Sequence, residues 1–239
     1  MKKFINDFRD LLHSVPPIIA AMFVISVVCM NLLANKSINT GVEWLALDCG
    51  ILLSWITFLS LDIMTHCYGP WAATGMSIAA ILINLLMSGI FFIAGHIPGV
   101  WGESYVEGSE AIINAALDNT FSGTWFILLG SSIAFVVSAL VNNFLNYGIG
   151  TKLEKEDGFG IFALRSYVST FIAQFTDNLV FAFLVSRVFF GWTTVQCMTC
   201  ALTGAVLELL FEVFFSPIGY RIAKGIKKER LAVSSFQEA

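Results

Sequence analysis

The sequence predicts an all-α, polytopic membrane protein with six transmembrane helices, and three observations carry that class. Of its 239 residues, 57% are hydrophobic and 13% are charged, whereas soluble globular proteins average about 25% charged. Mean hydropathy is +0.79. The apolar residues also form continuous runs of about 20 or more, enough to cross ~30 Å of hydrocarbon, rather than the short alternating segments of a barrel.

Taken in order, residues 1–12 (MKKFINDFRDLL) read as a solvated tail rather than an interfacial helix, because so short a piece shows little amphipathic period. Asp7, Arg9 and Asp10 then precede a run long enough to stay in the bilayer, so no cleavable leader is expected. That first span, about 17–35, closes with Asn31 and Asn35, one turn apart. The second, about 44–62, carries Asp48, Trp55 and Asp62 at intervals of seven. The third covers about 71–95 and contains Asn84. A connection at 96–122 follows, rich in Gly, Ser and acids, and reads as a hydrated loop. The fourth span, about 123–148, ends in Asn142, Asn143 and Asn146. In the fifth, about 162–186, Thr170, Gln174, Asp177 and Phe181 recur every three or four residues and share one face. The sixth, about 192–220, holds Glu208 and Glu212 one turn apart behind Gly204. No linker separates soluble domains, so 1–239 is expected to be a single integral membrane domain.

Charge sets the orientation. Eleven of the thirteen Lys and Arg fall on the side of the N-terminus, the connections after spans two and four, and the C-terminus; Lys36 and Arg187 fall on the other. The 96–122 connection has no Lys or Arg but holds Glu103, Glu107, Glu110 and Asp118. By the positive-inside rule both termini are cytoplasmic.

Asp177, Glu208 and Glu212 lie deep in their spans, while Asp48 and His66 lie near span ends. Each charge at a helix centre costs about 2.5–3.5 kcal/mol, so the deep acids must be protonated, paired or facing water. Lys36, Arg165 and Arg187 also sit near span ends, so a proton or a cationic ligand is left to neutralise the acids. One polar stripe per helix points to a shared cavity. Taken singly, Asn31, Asn35 and Asn84 read first as interhelical glue worth roughly 0.6–2 kcal/mol each. Asn31, Asn35 and Asp62 in one half, against Asn142, Asn146 and Asp177 in the other, also suggest an inverted 3+3 repeat, although spans three and six show no counterpart.

Several classes are excluded. Cys197 and Cys200 have CxxC spacing without a second ligand pair, so they read as packing residues, with no metal or cofactor expected. An intramembrane aspartyl protease built on Asp62 and Asp177 would need a GxGD motif that is absent. No P-loop is present, so ATP hydrolysis would require a partner chain. Neither an enzyme nor a nucleic-acid-binding protein is expected.

Three segments, SLDIMTHCYG (60–69), QFTDNLVFAFL (174–184) and LELLFEVFFSPIGY (207–220), resemble the signature regions of the vitamin uptake transporter (VUT) family. NLLANK (31–36) and NNFLNYGIGTKL (142–153) fit as well. The characterised members of that family carry queuosine precursors. The resemblance implies import of a 7-deazaguanine base (the aminomethyl or cyano form, or queuine) across the cytoplasmic membrane of a prokaryote, through a central polar cavity by alternating access. On that reading Asp177 accepts the guanine-like edge, with Asp62, Glu208 and Glu212 nearby. Gln174, Asn143 or Asn146 donates to the ring carbonyl, Asn31 and Asn35 line the site, and Trp55, Phe58, Tyr68 or Phe181 stacks on the ring. The chain departs from the family pattern at His66, commonly Glu or another charged residue; at Asn146, usually Asp; and at Glu208, often Lys. An acid at 208 favours a cationic aminomethyl substrate over a neutral cyano one. Open alternatives are a substrate-binding subunit of an ATPase-coupled uptake system and a carrier of another small heterocyclic nutrient. A coupling proton or cation would be a further partner; oligomeric state is not readable.

Overall fold

The computed structural model describes residues 2–102, 108–153 and 158–237. Glu103, Glu107 and Lys155, which entered the charge reading, lie outside them. The fold is all-α and multi-pass. Among the described residues, five helices are long and apolar enough to cross a membrane, and a bent pair at the N-terminus makes a sixth if counted as one span.

That pair is α1 (Lys2–Ser14) and α2 (Pro17–Leu33), meeting at 110°. The break falls at Pro16 and Pro17, where Pro17 can open a helix but cannot continue one. The expected solvated tail is therefore a helix. Residues 1–12 were expected to show little amphipathic period, but as a helix they are strongly amphipathic, and the apolar face packs on the bundle. Leu11 is fully buried, and Phe8 fills the notch at Gly75, where an added Cβ would lie 2.7 Å from the Phe8 ring.

After α2 the chain turns through a two-residue antiparallel pair, β1 (Ser37–Ile38) with β2 (Leu47–Asp48), in register Ser37↔Asp48 and Ile38↔Leu47. The helix expected from residue 44 starts only at Ile51, as α3 (Ile51–Tyr68). This shift moves Asp62 from the end of a span to its interior. Gly69, at φ 86°, ends α3, and Pro70 opens α4 (Pro70–Ala94).

α5 (Glu110–Lys152) has 43 residues, so it takes in part of the stretch expected to be a hydrated loop. Trp101 folds back onto its first turns, donating from Nε1 to Asp118 (2.8 Å) and from its backbone N–H to Asn114 (2.8 Å), and it stacks on Phe121. α6 (Phe159–Phe181) runs through a π-helical turn, Ala182–Ser186, into the short α7 (Arg187–Phe189). Gly191, at φ 69°, reverses the chain. A capping box then starts α8 (Thr194–Gln237): the Gln196 N–H donates to Thr193 Oγ1 and the Thr193 N–H to Gln196 Oε1. Pro217 inside α8 cannot donate to the Val213 carbonyl. Ser216 Oγ donates there instead, at 3.1 Å, and lies 2.7 Å from Tyr167 Oη.

Polarity is inverted relative to a soluble protein. Leu82, Leu86, Leu210 and Phe214 face outward, while Asp62, Asn142, Gln174, Glu208 and Glu212 are at most 1% exposed. An apolar exterior around a polar interior is what a bilayer solvent selects.

Candidate functional site

Two polar layers occupy the interior, and four helices contribute to both. The first layer lies toward the α2–α3 connection, around a cavity of about 30 Å³, room for a water or two. Its wall comprises Met30, Asn31, Ala34, Asp48, Gly50, Ile51, Ser54, Ser131, Asp177, Asn178, Phe181 and Glu208. Three carboxylates thus line one cavity, with no Lys, Arg or His in its wall among the described residues. Glu208 accepts from Ser54 Oγ on α3 and, at 3.2 Å, from Asn178 Nδ2 on α6. Asp177 accepts from Ser138 Oγ on α5 at 2.6 Å. Ser131 donates to Asn31 Oδ1. Asp48, which precedes α3, accepts from the Gly50 N–H at 2.8 Å, and burial pushes its carboxyl up to about 6 from the usual 3.8. Gly204 allows the close approach that holds Asn178 in place; a Cβ there would lie 2.6 Å from Asn178 Nδ2.

The second layer lies toward the N-terminal face and centres on Asp62. Its carboxyl accepts from four side chains: Asn142 (2.7 Å) and Asn146 (2.9 Å) on α5, and Ser166 and Thr170 (3.0 Å) on α6. Ser166 Oγ also meets Glu212 Oε1 on α8. Arg165, expected near a span end and away from the acids, is buried. Its Nε donates to Asn146 Oδ1 at 2.8 Å, and its Nη1 lies 2.9 Å from His66 Nδ1. A cation therefore stands two hydrogen bonds from Asp62, through the Asn146 amide. Gly150 makes room for it, since a Cβ there would lie 2.5 Å from the guanidinium carbon.

The helical spacing explains the layering. On α8, Glu208 and Glu212 differ by one turn; on α5, Ser138 and Asn142 do; on α6, Asp177 and Thr170 differ by two. Gln174 lies between, fully buried, and neither of its polar side-chain atoms has a hydrogen-bond partner among the described residues.

Of the residues singled out in the sequence, Asn31, Asp177, Phe181 and Glu208 line the cavity. Asp62, Asn146 and Glu212 belong to the second layer. Asn143 is held between Thr65 and Thr74, at 3.1 Å from each, and Asn35 donates to the Leu32 carbonyl at the end of α2. Three of the four aromatics lie elsewhere. Trp55 stacks on Phe215, with ring centres 4.2 Å apart; Phe58 packs edge-on against Phe135 in the core; Tyr68 lines a separate recess with Asp7, Trp71 and Tyr147. Sequence reasoning missed Ser54, Ser131, Ser138 and Ser166, whose hydroxyls leave hydropathy almost unchanged. Asn178 sat beside Asp177 in plain view. Among the described residues no group of three or more His, Cys, Asp or Glu is placed to hold a metal ion.

The sequence matches a family described as "Putative vitamin uptake transporter" over residues 48–222. No curated protein and no solved structure matches the chain.

Proposed function

This chain belongs to that family of membrane transporters, and from that premise we propose that it imports a queuosine precursor, a 7-deazaguanine base, through the acid-lined cavity. The observation that supports the reading is the presence of Asp48, Asp177 and Glu208 in one cavity wall that holds no basic side chain among the described residues. A guanine-like edge presents a ring N–H beside an amino group, and one carboxylate accepts both; Asp177 is assigned that role. Phe181 offers the ring face. Glu208 and Asp48 favour a cationic aminomethyl group over a neutral cyano one.

A cavity of about 30 Å³ is too small for a bicyclic base, so loading requires the helices to part. One three-helix half rocking against the other, as an inverted repeat would allow, provides alternating access. The bias of Lys and Arg toward the N-terminal side supports an orientation with both termini in the cytoplasm of a prokaryotic cell and the cavity nearer the outer face. The whole chain acts as one transport domain.

The test is uptake into cells unable to make the precursors, with queuosine in tRNA as the readout, for wild type and Asp177→Asn at matched membrane expression. Rescue by wild type alone is expected. No rescue by well-expressed wild type would point to another heterocyclic nutrient. Rescue only in the presence of a co-purifying ATPase would point to a subunit of an ATP-driven system.

A further inference from the structure

The Asp62–Ser166–Glu212 cluster takes no part in lining the cavity, and its hydrogen-bond arithmetic does not close with two ionised acids. Ser166 has one hydroxyl hydrogen, yet its oxygen meets Asp62 Oδ2 and Glu212 Oε1 together. One of the two carboxyls must therefore donate. Asp62 is the better anion, because it already has Asn142, Asn146 and Thr170 as further donors, with Arg165 one residue beyond Asn146. Glu212 is the reverse case. It is fully buried, its Oε2 has no partner, and Ser166 is the one side chain bonded to it among the described residues. An ion in that position would be costly, whereas a neutral acid loses little from one unpaired carbonyl oxygen. Asn142 Oδ1, on the amide that donates to Asp62, is likewise buried and has no partner among the described residues.

We propose that this cluster is a proton site, with Glu212 carrying the proton, and that its loading couples proton flow to transport. In the resting arrangement Glu212 Oε1–H donates to Ser166 Oγ, and Ser166 Oγ–H donates to Asp62. Transfer is a two-step shift along the same line. The Glu212 proton passes to Ser166 as the Ser166 proton passes to Asp62, leaving Glu212 ionised and Asp62 neutral; the reverse shift restores the start. The groups that bias it are His66 on α3, Arg165 and Asp177 on α6, and Glu208 one turn away on α8. Because Glu208 and Glu212 share one helix, a movement of α8 that opens the cavity also moves Glu212 relative to Ser166.

The coupling half of the inference rests on the transporter reading; the protonation half does not. Infrared difference spectra of the purified full chain at neutral pH, wild type against Glu212→Gln, should show loss of one protonated-carboxyl C=O band that shifts in D2O. Ser166→Ala should keep that band but move its frequency, which covers the case in which Glu212→Gln fails to fold. In liposomes, labelled aminomethyl-deazaguanine should be accumulated by wild type under an imposed pH gradient. Glu212→Gln should lose accumulation but still exchange the base with no gradient. An unchanged carboxyl band in both variants, or full gradient-driven accumulation by Glu212→Gln, overturns the proposal. Absence of any exchange by wild type counts against the substrate reading, and the infrared result still decides the proton site.

Discussion

Asp62→Ala should destabilise the protein severely, while Asp62→Asn should be mild. Alanine removes the acceptor for four donors. The Ser166 and Thr170 hydroxyls can rotate to other acceptors, but the side-chain N–H groups of Asn142 and Asn146 are held in place and buried. Leaving a buried donor unpaired costs about 1–3 kcal/mol, so the two amides give about 2–6 kcal/mol that Asp62→Asn avoids; the loss of the anion near Arg165 is common to both variants. Against a typical total of about 5–15 kcal/mol, that is a large fraction, on the order of 10 °C in melting temperature for a chain of this size. Asparagine keeps an oxygen for the two amides and presents an NH2 to hydroxyls that can accept, so its cost should stay below about 2 kcal/mol. The assay is thermal melting of the detergent-solubilised protein, followed by size-exclusion chromatography. Equal melting temperatures for the two variants would refute the donor accounting around Asp62.

Further expectations test other parts of the structure. Gly130→Ala places a Cβ 2.2 Å from Val185 Cγ2; it should cost about 1–3 kcal/mol by overpacking, and Val185→Ala should restore most of the loss in the double variant. Gly204→Ala drives Asn178 off Glu208 and should weaken substrate binding severalfold with little change in melting temperature, as read by titration of the purified protein. The Asp48 carboxyl, raised to about 6, ionises against the fold's preference. Its penalty is absent well below the unfolded value of 3.8, builds as pH rises from about 4 to about 6, and is constant above that. Asp48→Asn should therefore melt higher than wild type at pH 8 and nearly level with it at pH 4; a pH-independent difference would count against this.

The fold class was legible because a bilayer imposes a long apolar period that composition cannot hide. Boundaries were less so. Trp44, Leu45 and Ala46 continue an apolar run, yet they belong to the turn closed by β2, tied to α8 through Thr199 Oγ1 and the Trp44 carbonyl. Nothing local in the sequence announces that contact. α1 is a different case: Phe4, Phe8, Leu11 and Leu12 recur at helical spacing and make it strongly amphipathic, so its signal was present in the sequence, and only its packing on α3 and α4 was not. In the interior, Asp177, Glu208 and Asn31 were visible as polar residues in apolar surroundings. The split into two layers was not, because it depends on serines and on which face each helix turns inward. Arg165 looked terminal in the sequence; only the space above Gly150 lets its guanidinium reach Asn146.

The most direct measurement is equilibrium binding of aminomethyl- and cyano-deazaguanine to the purified chain, for wild type, Asp177→Asn and Glu208→Gln. Wild type should bind the aminomethyl base more tightly, Asp177→Asn should lose both, and Glu208→Gln should lose the preference while keeping affinity for the cyano base. Binding of neither base by folded wild type, or unchanged affinity in Asp177→Asn, would contradict a substrate site at the meeting of these acids.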